Sequence, residues 1–369
     1  MPQLFKDKPV DVCLMLEGTY PYVAGGVSTW THDLIRSQPD MSFFLISLLP
    51  SQEKRKPRYE LPGNVVGIEH TYIQEMAKGD RRIAHMDRFF ADLESPLERL
   101  QSRRGNLADM AEVFELIYPL REQLGGRILL NSEPAWDMLL GMYARGHPDS
   151  SFLDYFWTWR ALMGGLFSVL LSDIPAARAY HTVSTGYAGI LAARAVLETG
   201  RPGIVTEHGI YTNERRIEIA MADWLFEDER VDLNVDRSKR DLKDLWMDTF
   251  ASYSRCCYQA CGDIVTLYEG NQHLQLDDGA DPGRMAIIPN GIDYERYSAI
   301  RRRPYPGAEG APPTLGFVGR VVPIKDVKTL IRACGMMRKE IPDLRVLIIG
   351  PYDEDEEYYE ECCQMVAEL

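Results

Sequence analysis

The sequence lacks the features that define several large protein classes. It has 7 cysteines in 369 residues, an odd number at irregular spacing that includes no C-x-x-C pair. A disulfide framework and a structural zinc site are therefore not expected, and the pattern is typical of a reduced, cytoplasmic protein. The most apolar window, Phe152–Leu171, is interrupted by Asp154 and Arg160. We predict that it forms a buried helix, because its uncharged part is too short to span a bilayer of about 30 Å.

Basic residues are also in short supply. The chain has 41 Lys and Arg against 55 Asp and Glu, which gives a net charge of −14 and a pI near 5.1. Such a chain does not suit general binding to nucleic acid or to an anionic membrane surface, so we expect no nucleic-acid partner. An anionic ligand would have to be met by a local cluster of basic groups. The hydrophobic fraction of 45% is ordinary for a globular protein, and the length predicts about two domains.

Apolar runs that alternate with helical periodicity predict an α/β fold. Runs ending at Glu17, Val183, Glu207 and Ile288 are predicted to be strands of one mostly parallel sheet. Between the first two, residues 81–172 show the spacing of successive amphipathic helices, which predicts a helical insertion.

A segment rich in proline and glycine, 301–313, is predicted to link two domains. We predict a Rossmann-like N-terminal domain over 1–300 and the start of a second domain over 314–369. The second region contains only two predicted strands, fewer than the roughly five or six of an average sheet. We therefore expect either that the first domain completes its sheet or that the second domain continues beyond this sequence.

A glycine pair is the first candidate binding feature. Gly25 and Gly26 stand between a predicted strand and a predicted helix, where glycine permits positive φ and leaves backbone N–H groups accessible. The N-terminus of a helix then favours a phosphate. A tight turn without a ligand is the alternative, and the spacing is not G-x-G-x-x-G, which disfavours a dinucleotide site.

Cations and histidines at strand ends are the next candidates. Arg320 ends a predicted strand and Lys325 is predicted to start the next helix, so the pair could hold a diphosphate. A solvated cationic pair is the alternative. His208 and His181 each end a strand, from where an imidazole can act as a hydrogen-bond donor or base. For each histidine the alternative is a structural role. Glu17, at the end of the first strand, is a further candidate.

Four segments together resemble a known family. They are EGTYPYVAGGVSTW at 17–30, TEHGIYTNERRIEI at 206–219, IIPNGID at 287–293 and GFVGRVVPIKDVKTLI at 316–331. In this order they resemble the PelF branch of glycosyltransferase family 4, whose members take part in Pel-type exopolysaccharide biosynthesis. The resemblance implies a GT-B fold with two Rossmann-like domains. It also implies retaining transfer of a hexose from a UDP-sugar, without an essential metal or other cofactor.

The resemblance also implies roles for individual residues and partners. Gly25 and Gly26 would form the glycine loop near the donor diphosphate and acceptor, and His208 would contact the transferred sugar. Arg320 and Lys325 would hold the diphosphate. The expected partners are a nucleotide sugar, a polysaccharide acceptor and inner-membrane components of an export complex. A noncatalytic scaffold subunit and a nucleotide-sugar epimerase are the alternative functions.

One expected motif does not fit. Members of the family carry a Glu–seven residues–Glu motif, and only Glu360 and Glu368 have this spacing here. They follow the second strand of the second domain too closely, so we interpret them as solvated helix residues. Asp353 begins a D-x-D match, but acidic residues at the start of a helix stabilise its dipole, which is the favoured interpretation. We expect the true motif beyond residue 369, which leaves the activity of the chain as given in doubt.

Overall fold

The structure is a computed structural model that describes residues 9–53, 55–220, 241–300 and 312–369. It divides into two compact units, Met1–Gly291 and Ile292–Leu369. The division precedes the predicted boundary at residue 300. Nearly all of the predicted linker 301–313 lies outside the described residues.

Seven parallel strands form the sheet of the first unit, in the order β3-β2-β1-β4-β5-β6-β7. They are Val10–Glu17 (β1), Phe43–Leu49 (β2), Val65–Tyr72 (β3), Ala177–Thr182 (β4), Gly203–Glu207 (β5), Asp263–Thr266 (β6) and Met285–Ile287 (β7). The predicted α/β class and the shared parallel sheet are confirmed. Strand order changes direction between β1 and β4, and we call this place the switch point of the sheet. Ligands of open α/β sheets bind at the carboxyl ends of the strands at such a point.

Helices pack on both faces of this sheet because alternate residues of a strand point to opposite sides. Cys13 and Met15 of β1 belong to one core, whereas Leu14 and Leu16 belong to another with Ile35. The helices of the first unit are Gly26–Arg36 (α1), Met86–Leu100 (α2), Leu107–Ile117 (α3), Gly126–Leu129 (α4), Glu133–Gly146 (α5), Phe152–Leu171 (α6), Tyr187–Thr199 (α7), Tyr211–Ala220 (α8), Leu242–Ala260 (α9) and Glu269–Asp277 (α10).

Helices α2–α6 occupy the region predicted as a helical insertion. They do not form a separate core: Trp159 and Leu166 of α6 belong to the same buried cluster as Met15 of β1 and Tyr253 of α9. The block is therefore an integral layer of the first unit. Within the described ranges, no helix has both the length and the apolar character needed to cross a bilayer.

The second unit contains a parallel pair of strands, Thr314–Val318 (β8) and Arg345–Ile349 (β9). Its helices are Tyr294–Ser298 (α11), Val327–Met337 (α12) and Glu356–Glu368 (α13). A small core of its own joins α12 to α13 through Val327, Ile331, Tyr358 and Cys362. The two predicted strands of this region are thus confirmed.

Candidate functional site

The loop that follows β1 leads into an accessible helix N-terminus. Positive φ occurs at Gly18, at 62°, whereas Gly25 has an extended backbone with φ 172°. Neither Gly25 nor Gly26 has positive φ, so the conformational freedom that glycine permits is not used at this pair. A Cβ added at either glycine would meet nothing within 4 Å. No side chain of the described residues caps α1. The first N–H groups of α1 thus have no side-chain partner among the described residues, and exposed Gly26 begins this helix at the switch point of the sheet.

Glu17 lies on the other side of this switch point and caps α7. Ser184 and Thr185 precede this helix, but their side chains do not cap its first turn. Instead, the backbone N–H of Ala188 donates to Oε2 of Glu17 at 3.1 Å. The hydroxyl of Tyr211 donates to Oε1 of Glu17 at 2.8 Å. One carboxylate therefore ties the end of β1 to the beginnings of α7 and α8, a favourable position for a negative charge.

Glu207, at the end of β5, is a fully buried carboxylate that the sequence did not mark as a site residue. Its oxygens accept hydrogen bonds from Thr185 Oγ1 at 3.2 Å, Tyr211 N at 3.3 Å, Gln275 Nε2 at 2.9 Å and the Tyr258 hydroxyl. Burial raises the pKa of Glu207, and these donors partly offset the effect. The cluster fixes the carboxyl end of β5, from which the next residue projects.

That next residue, His208, lies beside α1. Its half-buried ring meets the ring of Trp30 edge-on, with 4.7 Å between centroids. Since Trp30 follows Gly26 by about one turn of α1, the contact places His208 next to the accessible helix N-terminus. Burial lowers the pKa of His208, so its imidazole is neutral near pH 7. Its Nε2 atom is buried and has no hydrogen-bond partner in the described parts of the chain.

His181 has the structural role that the sequence left as an alternative. It is buried, and its Nε2 is 2.9 Å from the hydroxyl of Thr206. Burial, with a smaller contribution from His208, lowers its pKa to about 4. The ring of Trp30 also packs against it, with 6.0 Å between centroids. His181 therefore packs against Trp30 and contacts β5 through the bond between its Nε2 and Thr206.

The buried His181 predicts acid sensitivity of the fold. Its pKa of about 4 in the folded state lies below the usual 6.5, so the unfolded chain binds more protons between these values. Stability should therefore fall as pH decreases from 6.5 toward 4, by about 3 kcal/mol from this group. We expect urea unfolding of His181→Gln to show a correspondingly shallower pH dependence than the wild type. Equal pH dependence in both proteins would contradict the assignment.

The predicted diphosphate residues lie in the second unit. Arg320 follows β8, and its Nη1 donates to the Glu354 oxygens at 2.7 and 2.6 Å. Lys325 is exposed and ends a short 3₁₀ turn before α12, so the prediction that it starts the helix is wrong. No carboxylate in the described part of the second unit pairs with Lys325. That Arg320 and Lys325 share a cleft with Gly26 and His208 stays a prediction.

The acidic residues near the end of the chain serve the helix. The side chain of Asp355 accepts a hydrogen bond from Tyr358 N at 2.9 Å and so caps α13. Glu360 and Glu368 are exposed on that helix, as expected. No group of three or more His, Cys, Asp or Glu side chains in the described residues could hold a metal ion. Independence from metal ions stays a prediction.

Comparison with known protein families finds one family that matches most of the chain. Residues 10–283 match the family described as a domain of unknown function, DUF3492. The chain belongs to this family. The DUF3492 match contains strands β1 to β6 but not β7, and it includes Glu17, the glycine pair, Glu207 and His208. Arg320 and Lys325 lie outside it.

Part of this DUF3492 chain is also similar to proteins named as glycosyltransferases. It is 37% identical over 90 residues to a D-inositol 3-phosphate glycosyltransferase of Nocardia farcinica, covering 23% of this chain and 20% of that protein. A second protein, D-inositol 3-phosphate glycosyltransferase 2 of Catenulispora acidiphila, is 31% identical over 94 residues, 25% of this chain and 20% of that protein. The similarity thus spans about a fifth of each relative.

Two solved structures resemble the chain at low identity. Alr3699/HepE of Anabaena, solved with UDP and glucose, has 9% identity and a TM-score of 0.45, covering 97% of this chain and 66% of that one. A UDP-glucosyltransferase of Polygonum tinctorium has 11% identity and a TM-score of 0.35, covering 93% and 72%. No residue role follows from similarity at this level.

Proposed function

We propose that the chain belongs to a glycosyltransferase that uses a nucleotide sugar as donor. The observation that carries the proposal is the neutral His208, whose Nε2 is buried without a partner beside the accessible N-terminus of α1. A buried polar atom of this kind needs a hydrogen-bond partner, and a sugar hydroxyl next to a helix-bound phosphate supplies one. The local similarity to D-inositol 3-phosphate glycosyltransferases supports this class of reaction.

The finer assignment rests on the four motifs in the sequence. They favour a GT-B enzyme of the PelF branch of family 4 that transfers a hexose from UDP with retention, without a metal ion. The acceptor would be a growing exopolysaccharide, and the enzyme would work at the cytoplasmic side of an inner-membrane export complex. Residues 292–369 would then contribute to the donor-binding domain.

In this reaction the bond between the sugar carbon and the diphosphate oxygen breaks, the acceptor oxygen bonds to that carbon, and its hydroxyl proton passes to the departing diphosphate. Negative charge develops on the departing diphosphate. The N–H groups at Gly25 and Gly26, together with Arg320 and Lys325, would stabilise that charge and lower the barrier. The neutral imidazole of His208 would hold a hydroxyl of the transferred sugar and so fix its orientation.

Substitution of His208 tests the proposal. The assay uses the longest protein encoded by the reading frame that contains this sequence. With UDP-glucose and a polysaccharide acceptor, this protein should produce UDP and an extended acceptor. We expect His208→Ala to lower the rate about ten- to a hundredfold, because one oriented hydrogen bond is lost in the transition state. His273, exposed on α10, provides the matched control His273→Ala, which should retain wild-type activity.

Other outcomes select the alternative functions. Conversion of the UDP-sugar to an epimer without transfer would indicate an epimerase. Absence of any turnover with several UDP-hexoses and acceptors would favour a noncatalytic scaffold. Equal rates for the wild type and His208→Ala would remove His208 from the site and leave the proposal without its main support.

A further inference from the structure

An exposed apolar surface lies on helices α5 and α6 of the helical block. Four large apolar side chains are exposed there, Trp136 and Leu140 on α5 (44% and 38%) and Leu153 and Trp157 on α6 (62% and 59%). The two members of each pair are four residues apart, so they lie one above the other on the same side of their helix. Single exposed apolar side chains are ordinary, but large ones gathered on one surface indicate a binding site for another molecule.

Ring contacts join the exposed residues of the two helices into one continuous surface. The ring of Trp136 meets that of Phe152 edge-on, with 5.7 Å between centroids, and lies 5.9 Å from that of Phe156. Phe156 in turn meets Trp157 edge-on at 4.9 Å. Both phenylalanines are half-buried. We call the four exposed residues, with these two phenylalanines between them, the aromatic face.

The size of the aromatic face suits a single helix. A large aromatic side chain has about 150–250 Å² of surface, so the four exposed side chains together leave on the order of 400 Å² accessible. A stable dimer of globular subunits needs about 800 Å² from each partner, which is more than the face offers to a second copy of this chain. Its two rows of side chains, one from each helix, match a third helix that lies between α5 and α6.

The charged residues beside the aromatic face are acidic. Glu133 and Asp137 are exposed on α5, on either side of Trp136 in the sequence, and Asp154 follows Leu153 on α6. None of these three carboxylates pairs with a cation in the parts of the chain that the structure describes. They therefore leave negative charge at the edge of an apolar surface.

The arginines of α5 and α6 do not cancel this charge. Arg145 donates to Glu98 at 2.8 Å and also pairs with Glu94, so two carboxylates of α2 already balance it. Arg160 donates to neutral acceptors, one of which is Asn131 Oδ1 at 2.8 Å. Three unpaired carboxylates thus outnumber one uncompensated arginine. A negative edge repels an anionic membrane and a second copy of the same face, and it attracts a basic partner.

We propose that the aromatic face binds an amphipathic helix of another protein, with apolar residues along one side and Lys or Arg beside them. The rings of Trp136 and Trp157 pack against the apolar side, as exposed tryptophans at the centre of protein interfaces do. Glu133 and Asp137 pair with the basic residues at the edge. This inference goes beyond the proposed function and does not depend on it, because none of these residues belongs to the candidate site.

Three synthetic peptides test the docking on the full chain. The first has leucine and lysine at helical spacing, so that one side of its helix is apolar and the other basic. The second has the same composition in an order that destroys the apolar side, and the third has glutamate in place of lysine. We expect calorimetric titration to show that the first binds at least tenfold more tightly than either of the others, with an affinity that falls as salt is added.

Substitution of the exposed residues should remove that preference. We expect Trp136→Ser and Leu153→Ser each to weaken binding of the first peptide at least tenfold. Their melting temperatures should stay close to that of the wild type, because both side chains are exposed. Tyr268, 59% exposed at the start of α10, provides the matched control Tyr268→Ser, which should bind as the wild type does.

Reversal of one charge tests the acidic edge without removing an apolar side chain. Asp137→Lys should weaken binding of the first peptide severalfold and make its affinity less sensitive to salt. Glu115, exposed on α3, provides the matched control Glu115→Lys, which should change neither quantity. Wild-type affinity in Asp137→Lys would overturn the basic character of the proposed partner.

The remaining outcomes reject the proposal in different ways. Equal affinity of the wild type for all three peptides, or equal affinity of the wild type and Trp136→Ser for the first, would remove the aromatic face as a docking site. Sedimentation of the chain as a dimer that Trp136→Ser dissociates would assign the face to a second copy. Flotation with phosphatidylcholine vesicles that Leu153→Ser abolishes would assign it to a membrane surface. Each of these results leaves the donor site of the proposed function untouched.

Discussion

Glu207→Ala should destabilise the first unit by about 3–5 kcal/mol, the largest effect we expect on the free energy of unfolding. The carboxylate is fully buried, and four donors lose their acceptor when it is removed. A cavity adds to the cost, because the surrounding strands and helices cannot fully collapse into it. Urea unfolding monitored by circular dichroism measures the change.

The size of the effect depends on burial and not on charge alone. Glu112 is a matched control: it pairs with Arg99, but its side chain is 57% exposed. We expect Glu112→Ala to cost less than about 1 kcal/mol, as surface ion pairs usually do. If the two variants had similar stability, the Glu207 cluster would not be the structural centre that its hydrogen bonds indicate.

The α/β frame could be predicted because its strands are buried on both faces. Strand β2, for example, is buried along its whole length, and all of its residues except Ser47 are apolar. The helical block was predictable for a related reason, since helices such as α2 present one apolar face to the core. Both signals are local, so a single sequence contains them.

Helices with little apolar periodicity were missed. Helix α8, with the sequence YTNERRIEIA, has four charged residues among its ten, and α10 is similarly polar. Their positions depend on contacts made outside the helix: Tyr211 of α8 bonds Glu17, and Gln275 of α10 bonds Glu207. Tertiary contacts, more than propensity, stabilise such short segments.

The candidate site was predictable only in part, for the same reason. His208 and the glycine pair stand at strand ends, where sequence patterns point to function. The capping of α7 by Glu17 joins residues 171 positions apart, and the bond from Gln275 to Glu207 joins residues 68 apart. The order of the strands in the sheet brings these groups together, and the spacing of neighbouring residues in the sequence does not predict such contacts.

Arg320→Ala should lower the turnover of the proposed enzyme about ten- to a hundredfold. A charge-assisted hydrogen bond to a phosphate contributes about 1.5–3 kcal/mol, and the departing diphosphate needs it most in the transition state. Lys325→Ala should have an effect of similar size, because Lys325 is an exposed cation at the same end of β8. The turnover of both variants is measured as UDP release, in the longest protein encoded by the reading frame that contains this sequence.

Lys328 is the control for loss of a surface cation. It lies on α12, pairs with Glu361 and packs over the ring of Tyr358. Its removal costs a salt bridge comparable to that between Arg320 and Glu354 but takes no cation from the proposed diphosphate site. We therefore expect Lys328→Ala to keep turnover within about twofold of the wild type while changing stability only slightly.

Substitution of Glu354 provides a second test of the role of Arg320. It occupies the guanidinium of Arg320 with two hydrogen bonds at 2.7 and 2.6 Å, where a diphosphate would have to bind. Because the carboxylate competes with the ligand for the same donors, we expect Glu354→Gln to bind UDP several times more tightly, and Arg320→Ala to abolish that gain. Wild-type UDP affinity in Glu354→Gln, together with unchanged turnover in Arg320→Ala, would identify the pair as an ordinary surface salt bridge and remove Arg320 from the donor site.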